Sequence, residues 1–334
     1  MRAPEFWTRA APGAAALALA PLGAVYGALT ARRMRGPRAK AGVPVICVGN
    51  FTAGGAGKTP AALALAAMLD ARGARPFFLS RGYGGTLAGA GAPVRVDPAR
   101  HSAAETGDEA LLLARAAPVI LSPDRVRGAA AARDAGASVI VMDDGLQSGG
   151  LAHDLAIAVI DGGTGVGNGL CIPAGPLRAP LEGQWGFVDA VIVIGAGARG
   201  AALADAARGR GKTVLRAQLV PEPAAADALR GQRVLAFAGI GRPEKFFATL
   251  RKLGAEVTAA RAFADHHAYS GAEIAALRTD AAARGLALVT TEKDFARLPP
   301  ALRDGVTALP VTLEFEDTTA CAGLLSRALA EARR

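Results

Sequence analysis

The chain has 334 residues, 51% of them apolar and 20% charged, enough to bury the cores of two domains. Its 38 basic residues outnumber its 29 acidic ones, but seven basic residues face Glu5 alone within the first 40, so much of the excess flanks an apolar run. That placement, with few aromatics to stack bases, speaks against a nucleic-acid partner, and three scattered cysteines (Cys47, Cys171, Cys321) with no C-x-x-C pair speak against a disulfide framework or a zinc site.

Taken in chain order, the first element is the uncharged run Ala10 to Ala31, whose 22 residues suffice to cross a bilayer as a helix. It is mostly Ala and is interrupted by Pro12 and Pro21, which weakens insertion. A secretory signal is opposed by the nucleotide chemistry of the loop that follows. A spanning helix and an Ala-rich helix packed on the protein's own core stay open. The favoured reading is a monotopic helix or broken hairpin in the cytoplasmic interface, with Arg32 to Lys40 facing anionic lipid phosphates.

After Pro44, short continuous apolar runs alternate with helical patterns. Strands are predicted at Val45–Val48, Pro76–Leu79, Val119–Leu121, Val139–Met142, Ala156–Ile160 and Ala190–Ile194, and helices at Thr59–Ala71 and Asp108–Ala116. Residues 221–232 read as a seam. Beyond it come a strand (Val234–Ala238), helices (Pro243–Leu253 and Gly271–Arg284), a strand (Ala287–Thr290) and a closing helix at about Thr318–Arg334. The pattern predicts an α/β fold with a mainly parallel sheet covered by helices on both faces, plus a second, smaller α/β domain. The expected organisation is a membrane-associated helical segment (1–40), a nucleotide-binding domain (41–222) and a smaller domain closing a cleft (223–334), its last helix free to pack on the first domain.

The chemistry concentrates in Val48-Gly49-Asn50-Phe51-Thr52-Ala53-Gly54-Gly55-Ala56-Gly57-Lys58-Thr59-Pro60, which follows a strand and opens a helix. Glycines there let backbone N–H groups turn toward phosphate oxygens, and the helix N-terminus adds partial positive charge. Thr52, Ala53, Gly54, Gly55, Ala56, Gly57, Lys58 and Thr59 are therefore expected to hold ATP, with Lys58 reaching the β- and γ-phosphates and the Thr59 hydroxyl ligating Mg²⁺. Thr52 stands where the general motif has Gly. Partition-type ATPases carry Lys where this chain has Ala53, which speaks against that class.

Asp143 and Asp144 end a buried strand, where P-loop enzymes keep a carboxylate for Mg²⁺. Asp108 and Glu109 open a helix, where acids also serve the helix dipole. In a phosphoryl-transfer enzyme one of them could take the acceptor's proton and the other could serve the metal. Asp265-His266-His267 holds two of four histidines, and it reads either as a solvated turn or as a His that crosses the cleft to orient a catalytic carboxylate.

The loop Gly49 to Pro60 closely resembles that of the tetraacyldisaccharide 4′-kinase family, which also has Thr at the Thr52 position. Further matches follow in the family's order: Ser80-Arg81-Gly82-Tyr83-Gly84, Gly107-Asp108-Glu109, Asp143-Asp144-Gly145-Leu146-Gln147, Pro173-Ala174-Gly175-Pro176-Leu177-Arg178, Phe237-Ala238-Gly239-Ile240, Asp265-His266-His267 and Thr290-Thr291-Glu292-Lys293-Asp294. Leu146 departs from the Phe expected there. The resemblance implies an ATP- and Mg²⁺-dependent lipid kinase that phosphorylates the 4′-hydroxyl of a tetra-acylated glucosamine disaccharide 1-phosphate in lipid A biosynthesis. It implies a location at the cytoplasmic face of the bacterial inner membrane, peripheral or monotopic, and no obligate protein partner is evident. Asp108 matches the family's catalytic carboxylate, and His266 the histidine paired with it. Lys58 and Thr59 match the nucleotide loop, and Glu109, Asp143 and Asp144 the acidic cluster around Mg²⁺. Arg81, Tyr83, Gln147 and Arg178 match motif positions near the substrate. The rival readings are a soluble P-loop small-molecule kinase and a membrane-positioning ATPase.

Overall fold

A computed structural model describes residues 4–89 and 91–331. Arg2 and the last residues of the closing helix expected to reach Arg334 lie outside the described residues. Among those described, a nine-stranded sheet runs in the order 311–315, 213–221, 190–194, 155–161, 45–49, 139–143, 76–80, 119–121, 94–95. Only its two outermost pairings are antiparallel. The strand Val45–Gly49 lies at the centre of this sheet, buried throughout. Ile46 and Val48 enter one core layer and Val45 and Cys47 the other, as the alternation of a strand covered on both faces requires. Helices Lys58–Asp70 and Thr318–Glu331 cover the first face, and Arg125–Asp134 and Ala198–Arg208 cover the second. The predicted mainly parallel α/β fold is thus present.

A second sheet of four parallel strands runs 256–262, 233–238, 287–291, 306–309. Phe246, Phe247 and Leu250 of helix Pro243–Lys252 pack on one face, and Ile274, Leu277 and Ala281 of helix Gly271–Ala283 on the other. The segment read as a seam holds the end of strand Thr213–Pro221 and the helix Pro223–Leu229. From residue 311 the chain returns to the nine-stranded sheet, where Val311–Phe315 pairs with 217–221.

The N-terminal helix is Ala14–Met34, one helix with Pro21 inside it and no break, and it is long and apolar enough to cross a membrane. Ala16, Gly23, Gly27, Thr30 and Met34 form its buried stripe. A Cβ on Gly23 would lie 2.6 Å from the Cys171 carbonyl oxygen, and one on Gly27 2.7 Å from the Cys171 sulfur, so both glycines admit the loop at van der Waals distance. Leu17, Leu22, Val25 and Leu29 point outward, each more than half exposed. Before the helix, Trp7 Nε1 donates to the Pro173 carbonyl at 3.0 Å. After it, residues 38–39 pair with 150–151.

Candidate active site

The phosphate loop leaves the central strand and enters helix Lys58–Asp70. Positive φ falls on Gly54 and Gly57 only. Thr52 instead sits in an antiparallel bridge with Leu177, Ala53 N–H donates to the Pro176 carbonyl, and Arg178 N–H to the Phe51 carbonyl. The first half of the loop is therefore extended backbone, which any residue adopts, so glycine is not needed at Thr52. Lys58 is buried beside Asn50 Oδ1 (3.4 Å) and Asp144 Oδ2 (3.8 Å), while Thr59 Oγ1 lies 3.4 Å from Glu109 Oε1.

The acidic residues converge on this loop and divide by partner. Asp144 binds Arg178 through two bonds of 2.8 Å. Although burial opposes ionisation, Lys58 and Arg178 hold its carboxyl at about 2. Glu109 receives Lys293 Nζ at 2.5 Å, and that charge lowers its pKa. Asp143 is different: its Oδ1 is buried with no hydrogen-bond partner. Burial, then repulsion from Glu109 and Asp144, pushes its carboxyl up to about 7. An orphaned buried carboxylate oxygen beside two further carboxylates and the Thr59 hydroxyl is a hard-oxygen environment that fits Mg²⁺. Among the described residues no group of three or more His, Cys, Asp or Glu side chains is arranged to hold a metal ion by itself.

Gly107, at φ 83°, packs where a Cβ would lie 2.6 Å from the Tyr83 carbonyl oxygen, so the Ser80–Gly84 motif sits directly against the turn that presents Asp108. Asp108 is 5% exposed. Its Oδ2 accepts from Arg297 Nε at 2.8 Å, and its Oδ1 lies 3.4 Å from His266 Nδ1. Burial favours the neutral acid, but the His266 bond and the Arg297 and Lys293 charges outweigh it and hold the carboxyl well below the usual range. The same bond raises the pKa of His266, whose side chain is 43% exposed. His266 has φ 56° and Asp144 φ 52°, a left-handed conformation that costs a non-glycine residue energy and persists where surroundings enforce it. For His266 the constraint includes its N–H bond to the Gly239 carbonyl at 3.0 Å. His267 turns away, with Nε2 2.9 Å from Glu273 and its ring against Phe263.

The expected substrate residues separate. Tyr83 is 76% exposed, its ring centroid 6.0 Å from that of His266. Gln147 and Arg178 lie beneath the phosphate loop rather than in the open cleft. Gln147 Nε2 donates to the Asn50 carbonyl (2.7 Å) and Gln184 Oε1 (2.8 Å), and Arg178 is occupied by Asp144. Arg81 stands apart, next to Arg33 and Arg125.

Sequence reasoning missed Arg297, Lys293, Arg242 and Asp161. Arg297 is anchored by Asp294, which also accepts from Tyr269, Thr291 and the Gly239 N–H. Asp161 ends a central-sheet strand and binds Arg242 and Lys245 of the smaller sheet's layer, and Arg242 also donates to the phosphate-loop carbonyl of Gly55 at 3.2 Å. The signal for Lys293 and Arg297 was their spacing of four, which puts both on one face of helix Glu292–Arg297.

A sequence model of tetraacyldisaccharide-1-P 4′-kinase matches residues 15–330. The chain belongs to this family. The tetraacyldisaccharide 4′-kinase of Methylobacterium sp. (strain 4-46) is 62% identical over 313 residues, 94% of this chain and 93% of its own. That of Methylobacterium nodulans is 59% identical over 320 residues, 96% and 94% of the two chains. A crystal structure of LpxK from Aquifex aeolicus in complex with ATP superposes with a TM-score of 0.73 at 25% identity, covering 94% of this chain and 99% of that one. The matches extend over nearly the whole chain and not over the phosphate loop alone.

Proposed function

We propose that this protein transfers the γ-phosphoryl group of ATP to the 4′-hydroxyl of a tetra-acylated disaccharide 1-phosphate. The observation that carries the reading is the juxtaposition, in a chain of this family, of a phosphate loop with a buried Asp108–His266 pair contributed by the two sheets. On this reading residues 54–59 cradle the phosphates and Lys58 offsets charge on the transferring group. Thr59, Asp143 and Glu109 hold Mg²⁺, with Asp144 beside them keeping Lys58 and Arg178 in place. Mg²⁺, when bound, supplies charge neutralisation between phosphate oxygens.

Asp108, kept ionised by Arg297, forms with His266 one unit that takes up the hydroxyl proton. Asp108 is the assigned acceptor. A second reading makes His266 the immediate acceptor, because it faces solvent while both Asp108 oxygens are engaged. Residues 41–222, joined by the returning strand and helix of 311–331, form the nucleotide-binding body, and residues 223–310 form the cap that closes on it. The exposed apolar face of Ala14–Met34, its opposite face packed on the body, supports a helix lying in the cytoplasmic membrane interface with the lipid's acyl chains beside it.

The test is transfer of ³²P from γ-labelled ATP to the tetra-acylated disaccharide 1-phosphate in neutral detergent micelles. Labelled lipid from the native protein, lost in Asp108→Ala with ATP binding retained, is the expected result. Labelling of a water-soluble sugar at equal rate without detergent would favour a small-molecule kinase, and ATP hydrolysis with no labelled product would leave only a nucleotide-dependent ATPase.

A further inference from the structure

Three ion pairs tie helix Glu292–Arg297, in the smaller sheet's layer, to the larger one: Glu292 with Arg115, Lys293 with Glu109 and Arg297 with Asp108. They are not equivalent. Arg297 is a fixed strut, 6% exposed, whose guanidinium also donates to the Gly239 carbonyl and to Asp294. Asp294 in turn is fully buried and anchors the start of the helix through Thr291. Lys293 hangs on a single bond. Among the described residues its Nζ donates to Glu109 Oε1 alone, at 2.5 Å, and its side chain is 27% exposed.

That oxygen has a second claimant. Thr59 Oγ1 lies 3.4 Å from the same Glu109 Oε1, and Asp143, with its unpartnered Oδ1, belongs to the same acidic cluster. Thr59, Glu109 and Asp143 are the residues read above as holding Mg²⁺. A divalent cation on Glu109 Oε1 would repel an ammonium on the same atom, so Lys293 gives up Glu109 in the metal-loaded site. The neighbouring carboxylates are already taken. Asp108 holds Arg297 and His266, Asp144 holds Arg178 and Lys58, and Glu292 holds Arg115. The flexible four-carbon stem of a lysine lets its charge relocate while the helix stays in place.

We infer that Lys293 is a catalytic residue of the transfer: its ammonium rests on Glu109 in the metal-free protein and binds the γ-phosphoryl oxygens once Mg²⁺·ATP fills the loop. The inference rests on the kinase reading above. On that reading the γ-phosphoryl group lies between Lys58 and Thr59 on one side and the Asp108–His266 pair on the other. Glu109, the resting partner of Lys293, follows Asp108 in the chain and faces Thr59. In the step, the acceptor oxygen bonds to the γ-phosphorus. The bond to the β–γ bridging oxygen breaks, its electron pair leaving with ADP, and the hydroxyl proton passes to the Asp108–His266 pair. Lys293 forms no covalent bond and keeps its own proton. It offsets charge on the transferring group from the cap, as Lys58 does from the body.

The test uses the full chain with Lys293→Met at saturating Mg²⁺. Titration calorimetry gives Kd for ADP and for the ATP analogue with a methylene in place of the β–γ bridging oxygen. Transfer to the tetra-acylated disaccharide 1-phosphate in neutral micelles gives kcat. The variant should bind ADP at least as tightly as the native protein, because no ammonium has to leave Glu109. Its preference for the analogue over ADP should fall roughly tenfold or more, and kcat about a hundred- to a thousandfold. Lys293→Gln, which keeps an N–H donor for Glu109, carries the same expectation should the Met variant fail to fold. Equal weakening of both nucleotides would overturn the inference by making Lys293 a tie between the sheets and nothing more. Retention of the native preference, or of the native kcat, would overturn it as well. Native protein that labels no lipid would sink the kinase reading, while the two Kd values would still judge whether Lys293 meets the γ-phosphoryl group.

Discussion

At Asp108 and His266 the chemistry is set by who holds the one proton the pair shares. Despite burial, the His266 bond and the Arg297 charge hold the Asp108 carboxyl well below the usual range, and the same bond raises the pKa of His266 above the ordinary histidine value. On the reading that makes His266 the immediate acceptor, it must first release its own proton. At saturating Mg²⁺, kcat/KM should therefore rise with pH through a value above 6.5, the unperturbed histidine pKa, and His266→Gln should remove that limb. A limb that survives His266→Gln would show that the pair does not titrate as one unit. Asp143 offers a second test. Its folded pKa, about 7, lies above its unfolded value, so the folded state binds the extra proton. Its contribution to stability falls as pH rises from about 4 through about 7. Metal-free Asp143→Asn should accordingly be more stable than native at pH 8, by on the order of 1 kcal/mol in thermal unfolding, while losing Mg²⁺ affinity. Lys58, Thr59 and the acids were legible because each belongs to a contiguous run whose spacing encodes its chemistry. Arg297 was not, since it lies three residues past the Thr290–Asp294 block and its role appears only when the smaller sheet brings it to Asp108.

Elements with a continuous apolar run were read correctly to within a residue or two, as at Val119–Leu121 and Ala190–Ile194. Those missed lack that signal. Strand Glu256–Ala262 is an edge strand with mostly half-buried or exposed residues, so its Thr258 and Arg261 break any apolar pattern. Helices Arg125–Asp134 and Ala198–Arg208 bury chiefly Ala and Gly, and their core-facing stripe is invisible in a chain so rich in both. Helix Asp108–Leu113 stops three residues before its predicted end. The N-terminal helix tests its own outward face. Val25→Glu with Leu29→Glu puts charge on two side chains that are each 61% exposed and touch no core. Sedimentation with anionic vesicles should fall severalfold while ATP binding and the thermal midpoint stay put. Unchanged vesicle binding would mean that this face meets something other than lipid.

Across the molecule the two sheets meet through ion pairs: Asp108 with Arg297, Glu109 with Lys293, and Asp161 with Arg242 and Lys245. Asp161 is 10% exposed and accepts from both cations, which hold its carboxyl far below the usual range despite burial. Asp161→Asn should loosen this end of the cleft. ATP KM should rise several-fold, and limited proteolysis of the nucleotide-free protein should quicken, because two cations lose a buried partner. Unaltered proteolysis and KM would mean that the Arg242 contact with Gly55 alone holds the loop.

The chain crosses from the larger sheet to the smaller one near Pro221 and comes back at Val311, and at the crossing the Glu222 N–H donates to the Pro310 carbonyl at 3.0 Å. Two strands of one ladder, side by side, behave as a door hung on adjacent pins. They permit a swing about the line between them and resist twist and slide. On the proposed reading, any opening about that line would part Arg297, Lys293 and Arg242 from their carboxylates in one sweep, so that admission of nucleotide and exposure of Asp108 would share one mechanical coordinate.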